Sequence, residues 1–313
     1  MGNKTPMFLK ADGNGIARAA ELLRAGELVA VPTETVYGLA ARADSANAVA
    51  KIYRAKGRPD FNPLIAHVAS LEMARGLACF DHRAETLAER FWPGPLTLVL
   101  PQREGNGVAP AVTAGLPNIA LRRPAHPAMS ALLAALQLPL AAPSANRSNA
   151  ISPTQALHVA LSLGDACPPV LDGGPCMSGV ESTIVAFREN GAWAMLRPGP
   201  ITKDAITQLL GPPEKSRRAT VEAPGQLAKH YSPGKPVHLD RTEPLAGSYM
   251  IGFGAVEGDC TLSASGDLAE AAARLYACLH RAAAAPHASI SVAPIPGEGI
   301  GQAINDRLRR AAS

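Results

Sequence analysis

The chain of 313 residues carries 30 Lys and Arg against 26 Asp and Glu, a formal charge of +4, with 47% hydrophobic and 18% charged residues. That length allows one large and one smaller domain, and the composition excludes a disordered chain. The mild positive excess excludes a polybasic tail but permits a local cationic cleft, and 6 Phe, 5 Tyr and 2 Trp are too few for rows of base-stacking platforms.

At the N-terminus Pro6, Lys10 and Asp12 interrupt any secretory apolar core, so no signal peptide is expected and the chain reads as cytoplasmic. Residues 15–26 have helical spacing with a glycine stop, and 28–32 read as an apolar strand ended by Pro32. Ser45 is placed to cap a helix over 46–56; after the turn GRPDFNP, residues 64–70 read as a second strand. Further strands are predicted at 96–100, 118–122, 138–142, 169–173, 183–187 and 192–197. Helices at 127–136 and 153–163 separate some of them, the second bounded by Pro153 and Gly164. Strands that follow one another without a helix point to a mixed rather than a purely parallel sheet. The most apolar stretch, 131–143, is broken by Gln137 and Pro139 and falls short of the ~20 residues of a membrane span, so no membrane segment is expected.

A helix over 201–211 closes the first domain, 1–211. Residues 212–236 carry proline, glycine and charge without apolar periodicity and read as a linker. The remainder, 237–313, alternates strand and helix as a small α/β unit. Five cysteines, Cys79, Cys167, Cys176, Cys260 and Cys278, lack CxxC spacing and read as reduced, mostly buried thiols.

Several chemistries are excluded by what is missing. The Gly234–Lys235 pair runs into Pro236, so no P-loop forms, and neither GxGxxG spacing nor a GxSxG elbow is complete. No HExxH or Cys/His cluster provides a metal site. What remains is a set of polar segments at strand ends, where open α/β sheets place ligands. PTETVYGLAA (32–41) offers Thr33 and Thr35; KGRPDFNPLIAH (56–67) offers Lys56, Arg58, Asn62 and His67 in a loop stiffened by Pro59 and Pro63. APSANRSNAISPT (142–154) offers Ser144, Asn146 and Ser152, the last of which also reads as a plain helix cap. GVESTIV (179–185) offers Ser182, and LRPGP (196–200) offers Arg197. Lys56, Arg58, Arg197 and one of Arg122 or Arg123 would offset most of a nucleoside triphosphate, which predicts a nucleotide site without a P-loop.

These strings, with FWPGPLTLVL and LRRPAHP between them, resemble in this order the YrdC-like domain of threonylcarbamoyl-AMP synthases. HYSPGKP after the linker and a unit ending in INDRLRRAA resemble the two-domain members. Asn149 stands where family members often carry glycine. The resemblance implies a YrdC-like mixed twisted sheet with flanking helices and a small C-terminal α/β, Rossmann-like domain. It implies that L-threonine, bicarbonate or CO2, and ATP are joined as threonylcarbamoyl-adenylate with release of pyrophosphate. A downstream transferase would then modify tRNA beside the anticodon, with at most a weak tRNA contact here. Thr35, His67, Arg122 and Ser182 would hold threonine with Thr33 in support. Lys56 and Arg58 would be catalytic and, with Asn62, Ser144, Asn146 and Arg197, would contact ATP; Ser152 and Tyr231 would approach from outside. Mg2+ would ride on the phosphates, and HYSPGKP would close as a lid.

Two rivals follow from the same residues. A binding module would hold RNA in the cationic concavity with steep salt dependence and no pyrophosphate release. A carbamoyl-phosphate-dependent carbamoyl transferase would share the YrdC-like domain, but such proteins carry zinc-finger-like segments for which this chain has no CxxC pair.

Overall fold

The computed structural model describes residues 6–188, 190–214 and 230–313. The elements of the larger unit begin with β1 (Phe8–Lys10), α1 (Gly13–Arg24), β2 (Val29–Val31), β3 (Gly38–Arg42), α2 (Ala46–Lys56) and β4 (Ile65–His67). They continue with α3 (Leu71–Leu77), α4 (His82–Phe91), β5 (Leu96–Pro101), α5 (Pro110–Thr113), β6 (Asn118–Arg122) and α6 (Pro127–Leu136). The last are β7 (Leu140–Ala141), α7 (Ala156–Leu163), β8 (Val170–Asp172), β9 (Thr183–Phe187), β10 (Trp193–Arg197) and α8 (Lys203–Leu210). The smaller unit comprises β11 (Val237–His238), β12 (Ser248–Gly252), β13 (Cys260–Thr261), α9 (Leu268–Ala284), β14 (Ser289–Val292) and α10 (Gly301–Ala311).

Short runs that are apolar at nearly every position, such as Val29–Val31, are buried throughout, as strands covered on both faces must be. They assemble into a ten-stranded sheet in the order β1-β8-β2-β3-β7-β4-β6-β5-β9-β10. Pairing is mixed: β4 runs parallel to β6 and β5 to β9, while β2/β3, β5/β6 and β9/β10 are antiparallel. The smaller sheet, β11-β14-β12-β13, is entirely parallel, with α9 between β13 and β14. Both sheets agree with the expected fold class.

Local signals worked where the partner is nearby. Ser45 Oγ accepts the Ala48 N–H, and Gly57 ends α2 in the left-handed region at φ 58°. Elsewhere tertiary structure decided. PTETVYGLAA is a turn followed by strand β3 rather than a loop throughout, and residues 71–91 form α3 and α4 where no element is predicted. Helix α7 begins at Ala156, not Pro153, and its N-cap is Gln155. Ser152 is therefore no cap: its hydroxyl donates to Glu181, 29 residues away. Most of the predicted linker, 215–229, lies outside the described residues. Cys79 is exposed and the other four cysteines are buried, and among the described residues none is joined in a disulfide.

The two units share a core. Val36, Ile151, Val180 and Tyr231 pack in one cluster with Ile251, Leu275, Tyr276 and Ile304 of the smaller unit. Gly179 explains the closeness: a Cβ there would lie 2.3 Å from Ala272 O on α9, and its φ of 66° is one that glycine takes freely. Among the described residues no helix is long and apolar enough to cross a membrane.

Candidate active site

The predicted residues converge on a cavity at the ends of β4, β6, β9 and β10. Thr35, Arg58, His67, Arg122, Ser144, Ser182, Arg197 and Tyr231 line it; Thr33, Lys56, Asn62, Asn146 and Ser152 stand behind its walls. Arg123, beside Arg122 at the end of β6, does not line the cavity.

One wall is built by the turn before β3. Thr33 Oγ1 accepts the N–H groups of Thr35 and Val36 and donates to Val36 O at 2.6 Å, which closes the turn and spends its proton. Thr35 then donates to Thr33 (2.8 Å) and accepts from Arg122 Nη1 at 2.9 Å. Arg122 is buried and held on two further sides, by Gly94 O at 3.2 Å and by Glu34 Oε1 at 2.6 Å. His67 lies beside Arg122 in the parallel β4/β6 register. Burial, reinforced by Arg122, lowers the His67 imidazole to about 3, so it is neutral at pH 7. Its Nδ1 is buried without a hydrogen-bond partner among the described residues, as a group awaiting a ligand would be.

Two further arginines make part of the lining cationic. Arg58 donates to the Asn62 and Pro63 carbonyls at 3.3 and 2.9 Å; burial lowers it to about 10, still fully charged at pH 7. Arg197, at the end of β10, donates from Nε to Ser182 O and from Nη2 to Ser182 Oγ at 3.0 and 3.1 Å. Ser182 Oγ in turn contacts Thr97 Oγ1 at 2.7 Å. Lys56 is buried, and its ammonium donates to Ser144 O and Asn146 O, each at 2.6 Å. It therefore pins the APSAN loop from behind and, although it ends helix α2, is not an exposed charge. Asn146 turns its amide N–H groups onto Arg147 O and Ala150 O, and its buried Oδ1, like that of Asn62, has no partner among the described residues. Asn149 adopts φ 68°, the left-handed conformation that glycine favours and asparagine tolerates, so the loop keeps its turn without glycine.

Tyr231 is buried and lines the cavity. With φ 64° it turns its ring into the cavity wall, 4.0 Å from the His230 ring and 5.5 Å from that of Tyr276 on α9. Sequence reasoning missed Glu34, Thr97, Glu181 and His230. Glu34 and Glu181 adjoin singled-out hydroxyl residues, which was the available signal; nothing local marks Thr97.

Two family models cover the chain. One, described as telomere recombination, matches residues 21–199, and the other, described as the C-terminal domain of threonylcarbamoyl-AMP synthase, matches 201–313. A threonylcarbamoyl-AMP synthase of Bacillus subtilis is 40% identical, over 95% of this chain and 92% of that protein. The chain belongs to the threonylcarbamoyl-AMP synthase family. The Pyrococcus abyssi synthase is 38% identical over 94% of this chain and 93% of its own. The crystal structure of Pyrococcus abyssi Sua5 complexed with L-threonine superposes with a TM-score of 0.88 at 36% identity, covering 99% of this chain and 98% of that one. Full-length HypF in its phosphate- and nucleotide-bound form shares the fold over 59% of this chain and 30% of that one, with a TM-score of 0.53 at 21% identity.

Proposed function

We propose that this synthase-family chain joins L-threonine, CO2 or bicarbonate, and ATP into L-threonylcarbamoyladenylate, releasing pyrophosphate. One observation carries the reading. A single cavity is lined by Thr35, Arg122, Ser182 and neutral His67 together with the cationic Arg58 and Arg197, in a family with a member complexed with L-threonine.

In this reading the amine of threonine adds to CO2 and loses a proton, giving a carbamate. A carbamate oxygen attacks the α-phosphorus, and pyrophosphate leaves with the electrons of the broken P–O bond. No side-chain nucleophile is required. Positioning and charge neutralisation supply the catalysis, and effective molarity alone is worth up to ~7–11 kcal/mol. Arg122 holds the threonine carboxylate in a fork, with Thr35 and Ser182 beside it and Thr33 fixing the turn. Arg58 and Arg197 face the phosphates. Lys56, Asn62, Asn146 and Ser152 act from behind by holding the loops, and Ser144 and Tyr231 border the nucleotide.

Mg2+ accompanies the triphosphate. Glu34 is paired with Arg122 and the lining carboxylate Glu181 with Arg307, so Mg2+ would be held by the triphosphate rather than by these side chains. Its role is to neutralise phosphate charge. The product, a labile mixed anhydride, is then consumed by a transferase acting on tRNA.

Purified protein given ATP, Mg2+, L-threonine and labelled bicarbonate tests this. Threonine-dependent label in an adenylate with matching pyrophosphate is expected. Salt-sensitive RNA binding without pyrophosphate would favour a binding module, and label transfer from carbamoyl phosphate would favour a carbamoyl transferase.

A further inference from the structure

The INDRLRRAA segment has no part in the chemistry above, yet it contains the one arginine in the smaller unit with no solvent exposure among the described residues, Arg307 on α10. Its guanidinium spends its donors on the larger unit. Nε donates to Glu181 Oε2 at 3.0 Å, Nη2 to Glu181 O at 3.4 Å, and Nη1 to Pro198 O at 2.8 Å. Asp306 Oδ2 takes a further bond from Nη1 at 3.0 Å, and the ring of Tyr231 lies 5.7 Å from the guanidinium carbon. Glu181 completes its own shell with the hydroxyls of Ser152 at 2.6 Å and Tyr276 at 2.8 Å.

The placement is specific. Glu181 immediately precedes Ser182, and Pro198 immediately follows Arg197. These two cavity residues bond each other at 3.0 and 3.1 Å, and the segments carrying them lie so close that a Cβ at Gly199 would sit 2.3 Å from Thr183 N. One guanidinium therefore grips the neighbours of a predicted threonine ligand and of a predicted phosphate ligand, and faces the ring that borders both. Buried ion pairs are weak evidence for stability as such, but a planar fork supplies direction that an apolar side chain or a lysine does not.

We propose that Arg307 is a positioning residue through which the smaller unit completes the active site: it fixes Ser182 and Arg197 through Glu181 and the Pro198 carbonyl, and seats Tyr231. The inference rests on the synthesis reading for its kinetic readout. The smaller unit then acts on the reaction itself, beyond serving as a spacer or support.

The test compares wild type, Arg307→Lys, Tyr276→Phe and Arg274→Ala, all full length, by steady-state kinetics for threonine and ATP, by calorimetric affinity for each, and by thermal unfolding. Arg274, on the half-exposed side of α9 paired with Glu270, is the control. Arg307→Lys keeps the charge and loses the fork. Below its unfolding range it is expected to lose about 10- to 100-fold in kcat/KM, the scale of a site displaced by about an ångström, and to weaken binding of both substrates. Tyr276→Phe, which removes one donor to Glu181, should shift the same constants a few-fold, and Arg274→Ala should match wild type. A folded Arg307→Lys with wild-type constants, or one losing activity only in proportion to its folded fraction, overturns the proposal. If Arg307→Lys does not fold, unchanged constants in Tyr276→Phe overturn it. A wild type that releases no pyrophosphate sinks the synthesis reading instead, and the calorimetric affinities then decide on Arg307.

Discussion

Arg122 Nη2 stands 2.6 Å from Glu34 Oε1, and the Glu34 carboxylate is held from its other side by the Ala125 N–H at 3.1 Å. Burial pushes the Glu34 carboxyl up, but Arg122 outweighs it and keeps the group below the usual carboxylate range. The guanidinium is thus oriented on three sides before any substrate carboxylate meets it.

Replacing that fork with a point charge is expected to discriminate between substrates. Arg122→Lys should weaken threonine binding by about 10- to 100-fold, the equivalent of the ~1.5–3 kcal/mol of one charged hydrogen bond, while ATP affinity changes less than about two-fold. Calorimetry with each ligand alone measures both. An equal loss for ATP would move Arg122 to the nucleotide wall.

Lys56 gives a second test because it is buried. Burial, with Arg58 nearby, pushes its ammonium well below the ordinary lysine range, and its two short bonds to Ser144 O and Asn146 O tie it to the APSAN loop. Lys56→Ala strands both carbonyls and should cost about 1–3 kcal/mol in urea unfolding as well as activity. Arg58→Ala, by contrast, removes a half-buried group, and the Asn62 carbonyl it leaves keeps a bond from the Tyr53 hydroxyl, so it should cost about 1 kcal/mol or less with the same loss of turnover. Equal stabilities in the two variants would show that the ammonium does not hold the loop.

These cases show what the sequence made legible. Ser45 and Gly57 act on their own helix, so a cap and a stop could be read directly. Helix α3 buries only Ala74 and Leu77, too few to show a period, whereas α4 buries Ala84, Leu87 and Ala88 at i, i+3 and i+4, a helical signal present in the sequence. The cavity residues were legible as strings, but the difference between Arg58 in the wall and Lys56 behind it depends on which carbonyls lie above them. Ser152 reads as a cap locally and serves Glu181 through a contact 29 residues long; the Glu181–Arg307 pair spans 126 residues, beyond any local pattern.

Tyr231 provides a test of water exclusion. Its ring is buried against His230 and Tyr276, so removing it opens the cavity while Tyr231→Phe keeps the packing. Tyr231→Ala should release AMP and pyrophosphate with little adenylate accumulating, because water reaches the mixed anhydride, whereas Tyr231→Phe should retain most of the product. Chromatography of nucleotides over a time course reads the ratio. Equal adenylate yields in the two variants would remove the ring from that role.

The seam between the units predicts acid sensitivity in two stages. His158 on α7 stacks on His280 on α9 with ring centroids 3.9 Å apart, and His280 Nε2 lies 3.2 Å from Ser152 O. Burial lowers His158 to about 3, with His280 and Arg281 adding to it, and lowers His280 to about 4. The unfolded chain therefore binds protons that the folded one refuses, so the pair's contribution is intact above the ordinary histidine value of 6.5 and declines as pH falls toward about 4. Glu181 behaves oppositely in origin but alike in direction: burial raises it, while Arg307 and Arg197 outweigh this and hold it at about 2. Its stabilisation is present above the ordinary 4.5 and is lost as pH falls through about 2. Urea unfolding across pH 7 to 3 should show stability falling first with the histidines and then with the carboxylate. His158→Leu should reduce the first stage, to which buried His67 and His230 also contribute, and leave the second, whereas Glu181→Gln should reduce the second alone. A His158→Leu profile that parallels wild type between pH 6.5 and about 4.5 would show that the stacked pair does not carry the early loss.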